Sequence, residues 1–233
     1  MYHPFSVTET ISVAWRLLRK NFPTIAVYSL LAIVIIAGGF FVIDYIFTDI
    51  VLTTIGFFVL LFGISFIFLG FIKLVFQLID REFYDFEFKD IAPKVRMLFS
   101  YLLLLVIVST IVVIMSNAIK RLDEGLLQSI LGISTGIFFE FFFLFYFPIC
   151  TCFIVDDESG AFESVVQSFK LIKGNFLKYF LLFLVIEFLV FVGSLTVIGI
   201  ILVVPFVNIL LVVAYRKLVY SHLDVDDDIT ETI

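Results

Sequence analysis

Residues 50–72 read IVLTTIGFFVLLFGISFIFLGFI and contain no Asp, Glu, Lys or Arg. A helix rises about 1.5 Å per residue, so about 20 apolar residues cross the hydrocarbon core of a bilayer, which is about 30 Å thick. This stretch is therefore long enough to span a membrane. Two further windows, 21–43 and 97–119, are equally free of charged residues and predict two more spans.

Two longer apolar windows are each interrupted by a single glutamate. Glu140 lies within 125–155, and Glu187 lies within 179–215. The second window would form a helix of about 55 Å, nearly twice the thickness of the core, so we expect a hairpin at 193–196 to divide it. The chain is thus predicted to have six spans. Their predicted ranges are 21–43, 50–72, 97–119, 126–154, 175–193 and 197–219.

The composition indicates a lipid environment for the whole chain. Hydrophobic residues make up 62% of it and charged residues 15%, against about one quarter charged in ordinary soluble domains. The mean hydropathy is +1.19. The net charge of −6 argues against nucleic acid as a partner, because phosphates attract a basic surface. We therefore predict an all-α integral membrane protein, a single domain over 1–233, with the lipid bilayer as its main partner.

The positions of Lys and Arg predict the orientation of the spans, because cytoplasmic loops retain basic residues. Of 15 such residues, 13 fall near the two termini or in the segments 73–96 and 156–178. Only Lys120 and Arg121 fall on the other side. The segments 73–96 and 156–178 and both termini, including the acidic tail 220–233, are therefore predicted to be cytoplasmic. The loops at 44–49 and 193–196 contain no basic residue and are predicted to face the other side.

Residues 8–22 and 162–176 align without a gap and predict an internal repeat. Both stretches have apolar residues at helical spacing and basic residues on another face, as in helices that lie in the membrane interface. We predict such helices over 5–20 and 156–174. A weaker third copy falls in 73–96, and three parallel units of an interfacial helix plus two spans would account for all six spans. Pro93 departs from the pattern, so the two-copy and three-copy versions both remain open. The identical pairs are Glu9/Glu163, Leu17/Leu171, Asn21/Asn175 and Phe22/Phe176.

Three stretches together carry a resemblance to a known family. They are WRLLRKNF at 15–22; FIVDD at 153–157 with AFES at 161–164 and SFKLIKGNF at 168–176; and LTVIGI at 195–200 with PF at 205–206 and AY at 214–215. In these the chain resembles the YciC-like bacterial inner-membrane proteins, related to the membrane domain attached to some glycerophosphodiester phosphodiesterases. It has Phe147-Pro148-Ile149 where such proteins often carry a Pro-Gly step. The resemblance implies six helices and a bacterial inner membrane, and it carries over no catalytic or ligand-binding residue.

Glu140, Glu187 and Asn208 form the candidate polar site within the membrane. An ionisable side chain inside a span is costly, so the two glutamates are the first positions at which to look for function. If they face each other, they could share a proton, relay one or bind a cation, with Asn208, Pro148 and Pro205 near the path. The structural alternative is that each carboxyl is protonated and hydrogen-bonded to a helix neighbour such as a Ser, Thr or Tyr side chain.

Glycines at helical spacing predict close helix packing. Gly56, Gly63 and Gly70 recur every seven residues along the second span. Gly132 and Gly136 form a small-xxx-small pair in the fourth. The latter pair also completes a G-x-S-x-G pattern, which would carry chemistry only on a strand-turn-helix beside a histidine. We therefore interpret all five as helix-packing residues.

Histidine and cysteine give no sign of a metal site or a cofactor. The two histidines, His3 and His222, lie near the termini, and Cys150 and Cys152 form a C-x-C without a second ligand pair. We interpret the cysteines as buried thiols. No metal, cofactor or enzymatic activity is predicted.

Two functions from different classes remain open. The preferred one is a non-enzymatic membrane scaffold or accessory subunit that packs against lipid or other membrane proteins. The alternative is a transporter of a small solute, an ion or a lipid, with the intramembrane carboxylates in its path. A polar cavity that reaches both glutamates would favour transport, whereas a closed bundle filled with Phe would favour the scaffold.

Overall fold

The computed structural model describes residues 5–80, 88–122 and 125–230 and is helical throughout, with no strand in these ranges. The α-helices of the described chain are α1 (Val7–Lys20), α2 (Phe22–Phe41), α3 (Ile50–Asp80), α4 (Phe88–Ile91), α5 (Val95–Lys120), α6 (Leu126–Phe141), α7 (Phe147–Asp156), α8 (Ala161–Lys173), α9 (Phe176–Ser194) and α10 (Val197–Thr230).

Six helical stretches of the described chain are long and apolar enough to cross a membrane, which confirms the prediction of an all-α protein with six spans. The hairpin expected at 193–196 is present, because α9 ends at Ser194 and α10 begins at Val197. The stretches are Phe22–Ile46, Ile50–Asp80, Lys89–Lys120, Leu126–Asp156, Phe176–Ser194 and Gly199–Tyr220.

Two helices continue beyond their predicted ends. α3 extends to Asp80, into the segment predicted as a loop, and α10 extends to Thr230, through most of the predicted acidic tail. Hydropathy indicates where a segment leaves the membrane. The helix can continue beyond that point into water. In α3 the extra turns are held by side chains: the Lys73 ammonium donates to the Ala92 carbonyl at 2.8 Å, and the Gln77 amide donates to that of Asp90 at 3.0 Å.

The third interfacial helix predicted within 73–96 is reduced to the single turn α4 in the described residues, and 81–87 lie outside them. The physical reason is Pro93. Its ring disfavours helical geometry at the preceding residue and it has no N–H to donate, so α4 cannot run on into α5.

Two π-helical segments, which the sequence pattern did not predict, widen the ends of α2 and α6. They are Val42–Ile46 and Phe142–Tyr146. The second lies just before Pro148, whose ring would clash with the carbonyl of residue 144 in a regular helix. The wider turn accommodates that proline without breaking the span.

The chain divides into two compact units, residues 1–94 with 170–233 and residues 95–169. In the first unit α1, α3 and α9 all lie against α10. Trp15 of α1 meets Phe206 edge-on with ring centroids 5.7 Å apart, and Phe76 of α3 meets Tyr215 in the same way at 5.7 Å. In the second unit α5 packs on α7, where the rings of Tyr101 and Phe147 are 5.6 Å apart.

Buried residues are concentrated at one end of most spans, the end next to the Lys- and Arg-rich segments. In α3 they begin at Ser65 and end at Phe76, and in α5 they lie between Met97 and Val108. In the part of α10 whose burial is described, the buried residues begin at Pro205, whereas α6 has none at all. The opposite halves of these helices therefore present their apolar side chains outward.

Candidate functional site

Glu140 lies on α6 with its side chain exposed, next to the π-helical segment that starts at Phe142. Aromatic rings surround this part of the span. Phe138 and Phe139 pack edge-on, and Phe141 stacks on Phe145 with centroids 4.6 Å apart. Within the described chain, no hydrogen bond or ion pair involves the Glu140 carboxylate. The aromatic segment thus presents a carboxylate in the middle of the apolar run.

Glu187 lies on α9 and is half-buried. It belongs to the unit formed by 1–94 and 170–233, whereas Glu140 belongs to the unit 95–169. The predicted pairing of the two carboxylates therefore stays a prediction.

Asn208 is half-buried on α10, and its side-chain amide donates a hydrogen bond to the carbonyl of Val204 at 2.8 Å. The acceptor lies one turn earlier on the same helix, beside Pro205, which α10 contains without a break. This local hydrogen bond satisfies part of the hydrogen-bonding capacity of the amide. It is the simplest reason why a membrane span tolerates the side chain.

The five glycines predicted to pack helices have different surroundings. A Cβ at Gly56 would lie 2.8 Å from the ring of Phe47, and one at Gly70 would lie 2.6 Å from the hydroxyl of Tyr28. A larger side chain would clash at both positions, so both require glycine. A Cβ at the other three would meet no atom within 4 Å, so these glycines face open space within the described chain. They are Gly63, Gly132 and Gly136.

Two other glycines, which were not predicted to pack helices, allow the close approach of α9 and α10 at their hairpin. A Cβ on Gly193 would lie 2.8 Å from Val203, and one on Gly199 would clash with the carbonyl of Gly193. The sequence could have indicated this contact, because the two glycines lie on either side of the hairpin loop and close approach of two helices requires small residues on both.

A group of charged contacts joins the Lys- and Arg-rich end of α10 to its neighbours. Lys217 pairs with Glu9 of α1 at 2.6 Å, and Arg216 pairs with Asp80 of α3 at 2.5 Å. The Arg216 guanidinium also lies over the ring of Phe76, 4.7 Å from its centroid. The sequence did not indicate these pairings, because a one-dimensional pattern cannot pair helices that are far apart in the chain.

A buried polar seam joins α8 to α7 in the second unit. The Ser168 hydroxyl contacts the Cys150 sulfur at 3.2 Å and donates to the Ser164 carbonyl at 2.6 Å. Cys150 and Cys152 are buried and are not joined in a disulfide, which confirms their interpretation as buried thiols. Among the described residues there is no group of three or more His, Cys, Asp or Glu side chains able to hold a metal.

Two grooves open on the surfaces of the hairpins. The α2–α3 groove, about 930 Å³, is almost entirely apolar and includes Tyr28, Ile35 and Gly63 in its lining. The α5–α6 groove, about 500 Å³, is lined by residues of both helices between Val112 and Phe143 and includes Lys120. Neither groove is lined by Glu140 or Glu187.

A scan against protein-family models, a search of curated proteins and a search of solved structures each found no match.

Proposed function

We propose that this chain is a non-enzymatic scaffold or accessory subunit of a bacterial inner membrane, with both termini in the cytoplasm. The observation that carries the proposal is the outward-facing apolar surface. In the most apolar window of the first span only 6% of the residues are buried, and α6 has no buried residue. Surface of this kind in a membrane binds lipid or the spans of other proteins.

The surroundings of the carboxylates support the same proposal. Neither described groove is lined by a glutamate, and rings crowd the segment around Glu140. A transporter built on the two carboxylates would need a polar cavity that reaches both of them. The family resemblance, with its six helices and bacterial inner membrane, points to the same location.

Matched local geometry supports the internal repeat. Asn21 and Asn175 occupy equivalent places, each ending an interfacial helix and preceding a span, with φ and ψ of −114° and 21° in the first and −129° and 27° in the second. The carbonyl of each accepts from the backbone N–H four residues on, in Ile25 and in Tyr179. Burial also matches: the aligned pairs Thr10/Ser164, Ala14/Ser168 and Leu18/Ile172 are all buried.

A common packing pattern favours three copies of the repeat over two. α8 packs on α7, the end of the fourth span, through Ser168 and Cys150. α4 lies against the end of the second span, α3, through Lys73 and Gln77. α1 lies against the sixth span, α10, through Trp15. In each case the interfacial segment of one repeat packs on the second span of the repeat before it. For the first repeat, the span it packs on belongs to the last repeat.

Site-specific photo-crosslinking tests the scaffold proposal. We would place a photoreactive residue at Val34, which is 67% exposed in the first span, and at Leu69, which is fully buried and lines neither groove, as the control. In intact membranes we expect discrete adducts with lipid or one membrane protein from position 34 and none from position 69. Proton or cation flux in proteoliposomes above that of empty liposomes, abolished by Glu140→Gln, would overturn the proposal.

Transport is the second candidate, and one observation favours it. Glu140 is followed by the π-helical segment Phe142–Tyr146 and then by Pro148. Such irregular turns inside spans are frequent at functional sites. The same flux assay, with Glu187→Gln as a second variant, separates the two proposals: transport requires activity that both substitutions lower.

The orientation is tested separately by labelling. Cysteine introduced at Thr48 or at Asp157, both exposed, would be treated in intact cells with a membrane-impermeant maleimide. The proposal expects labelling at 48 and protection at 157 until the membrane is permeabilised. The native cysteines are buried and provide the unlabelled background. The opposite pattern would invert the orientation.

A further inference from the structure

The α5–α6 groove has a graded polarity. At the end of the hairpin it is lined by Ser116 and Lys120 of α5 and by Gln128 and Ser129 of α6. Deeper along α6 its lining continues through Gly132, Thr135 and Gly136 and then through aromatic rings to Phe143. The groove thus has a basic, hydrogen-bonding mouth near the membrane surface and a remainder that runs into the membrane and is mostly apolar, with Thr135 as its polar member.

The two glycines in the deeper part leave the groove open. A Cβ at Gly132 or at Gly136 would meet no atom within 4 Å. From Gly132 to Phe143 a helix advances about 16 Å, close to half of the hydrocarbon core of about 30 Å. The apolar part of the groove is therefore about as long as the acyl chain of one leaflet.

The mouth has polar groups that are available to a ligand. Within the described chain, Ser116, Lys120 and Gln128 form no hydrogen bond or ion pair, whereas the Ser129 hydroxyl donates to the Gly125 carbonyl at 3.2 Å. Lys120 and its neighbour Arg121 are also the only basic residues assigned by the sequence to this side of the membrane. A positive charge beside free hydroxyl and amide donors suits an anionic headgroup.

The size of the groove favours a lipid chain over a protein helix. A helix with its side chains is about 10 Å across, so 16 Å of it would fill on the order of 1,250 Å³. The groove holds about 500 Å³. A narrow hydrocarbon chain can lie wholly within this space, whereas a helix could insert only the side chains of one face.

We propose that the α5–α6 groove binds one anionic phospholipid, with its phosphate at Lys120 and one acyl chain along Gly132 and Gly136. The binding rests only on the location of the chain in a membrane, and it applies to a scaffold and to a transporter alike. It assigns a ligand to two glycines that the sequence marked for helix packing and to one of the two isolated basic residues on that side.

Native mass spectrometry of the full-length chain in detergent tests the proposal. Dioleoyl phosphatidylglycerol and dioleoyl phosphatidylcholine, which have the same chains, would be titrated separately. We expect one phosphatidylglycerol to be retained about five-fold more tightly than phosphatidylcholine, and Lys120→Gln to remove that preference. Gly132→Leu, which fills the groove, should reduce binding of both lipids to the level of non-specific adducts.

Gly38→Leu is the matched control. A Cβ at Gly38 also meets no atom within 4 Å, and this residue does not line either groove. Leucine is a better helix former than glycine, so both variants should fold, and a thermal melt verifies this. Equal retention of the two lipids by the unmodified chain, or an unchanged preference in Lys120→Gln, would overturn the proposal in favour of non-specific lipid. A dimer that Gly132→Leu abolishes would overturn it in favour of a second copy of the chain.

Discussion

The two ends of helix α3 differ sharply in their surroundings. Near its start Leu52 is 52% exposed, whereas Leu69 and Leu74 near its other end are fully buried. Both ends are rich in apolar residues, and the buried end also contains Lys73 and Asp80, so hydrophobicity alone does not explain the difference. In a membrane the apolar side chains of one end meet protein and those of the other meet lipid, and only packing distinguishes them. The packed end also carries the side-chain contacts of Lys73 and Gln77.

Truncating a leucine at each end should give the largest contrast. Leu69→Ala leaves a cavity among packed side chains and should lower the free energy of unfolding by about 2–5 kcal/mol. Leu52→Ala removes the same atoms where no protein covers them and should change it by less than about 0.5 kcal/mol. Unfolding in mixed micelles, followed by circular dichroism, measures both. Equal losses would mean that the exposed end is packed in the membrane as well.

Two glycines of α3 allow the same comparison with a smaller effect. Gly70→Ala places a Cβ 2.6 Å from the Tyr28 hydroxyl, which donates to the Ile67 carbonyl at 2.7 Å, and should cost about 1–3 kcal/mol of unfolding free energy through overpacking. Gly63→Ala enters open space and should be neutral or stabilising by up to about 1 kcal/mol.

Tyr28→Phe provides the control for the Gly70 prediction. It removes the hydroxyl that the new methyl group would meet, so the cost of Gly70→Ala should be smaller in that background. If the two substitutions were strictly additive, the Tyr28 contact would not be the cause.

The charged contacts at the packed end should make the smallest contribution to the free energy of unfolding. Glu9 is 62% exposed in its pair with Lys217, so solvent screens the attraction and Lys217→Ala should cost about 0.2–1 kcal/mol. The loss should shrink in 1 M salt. Arg216→Ala should cost more, because it also removes the contact with the Phe76 ring. A loss at Lys217 that is large and independent of salt would contradict this assignment.

The number of spans was predictable because lipid imposes a simple requirement. Any stretch of about 20 apolar residues must form a helix to satisfy its backbone, so runs such as 50–72 mark their spans directly. Helix ends outside the lipid were less predictable. α3 and α10 continue past the apolar runs, and Pro93 shortens α4, because side-chain contacts and backbone sterics decide those positions.

The candidate site was predictable only in part. The sequence identified Glu140 and Glu187 from their cost in a membrane, but it could not show that the first is exposed and the second half-buried. It treated Gly70 and Gly132 alike, although the first lies against Tyr28 and the second lines an open groove. The sequence cannot distinguish these two environments of a glycine, because they differ in what the neighbouring helix places beside it.

The sequence by itself determined the helical class, the six spans and the separation of basic residues to one side, because composition and charge act locally on each segment. The tertiary structure alone decided which half of each span is packed and which glycines open a groove beside Lys120. Where nearly every residue in a span is apolar, hydrophobicity does not distinguish protein from lipid as a neighbour. Shape complementarity between helices makes that distinction, and it exists only once they are packed.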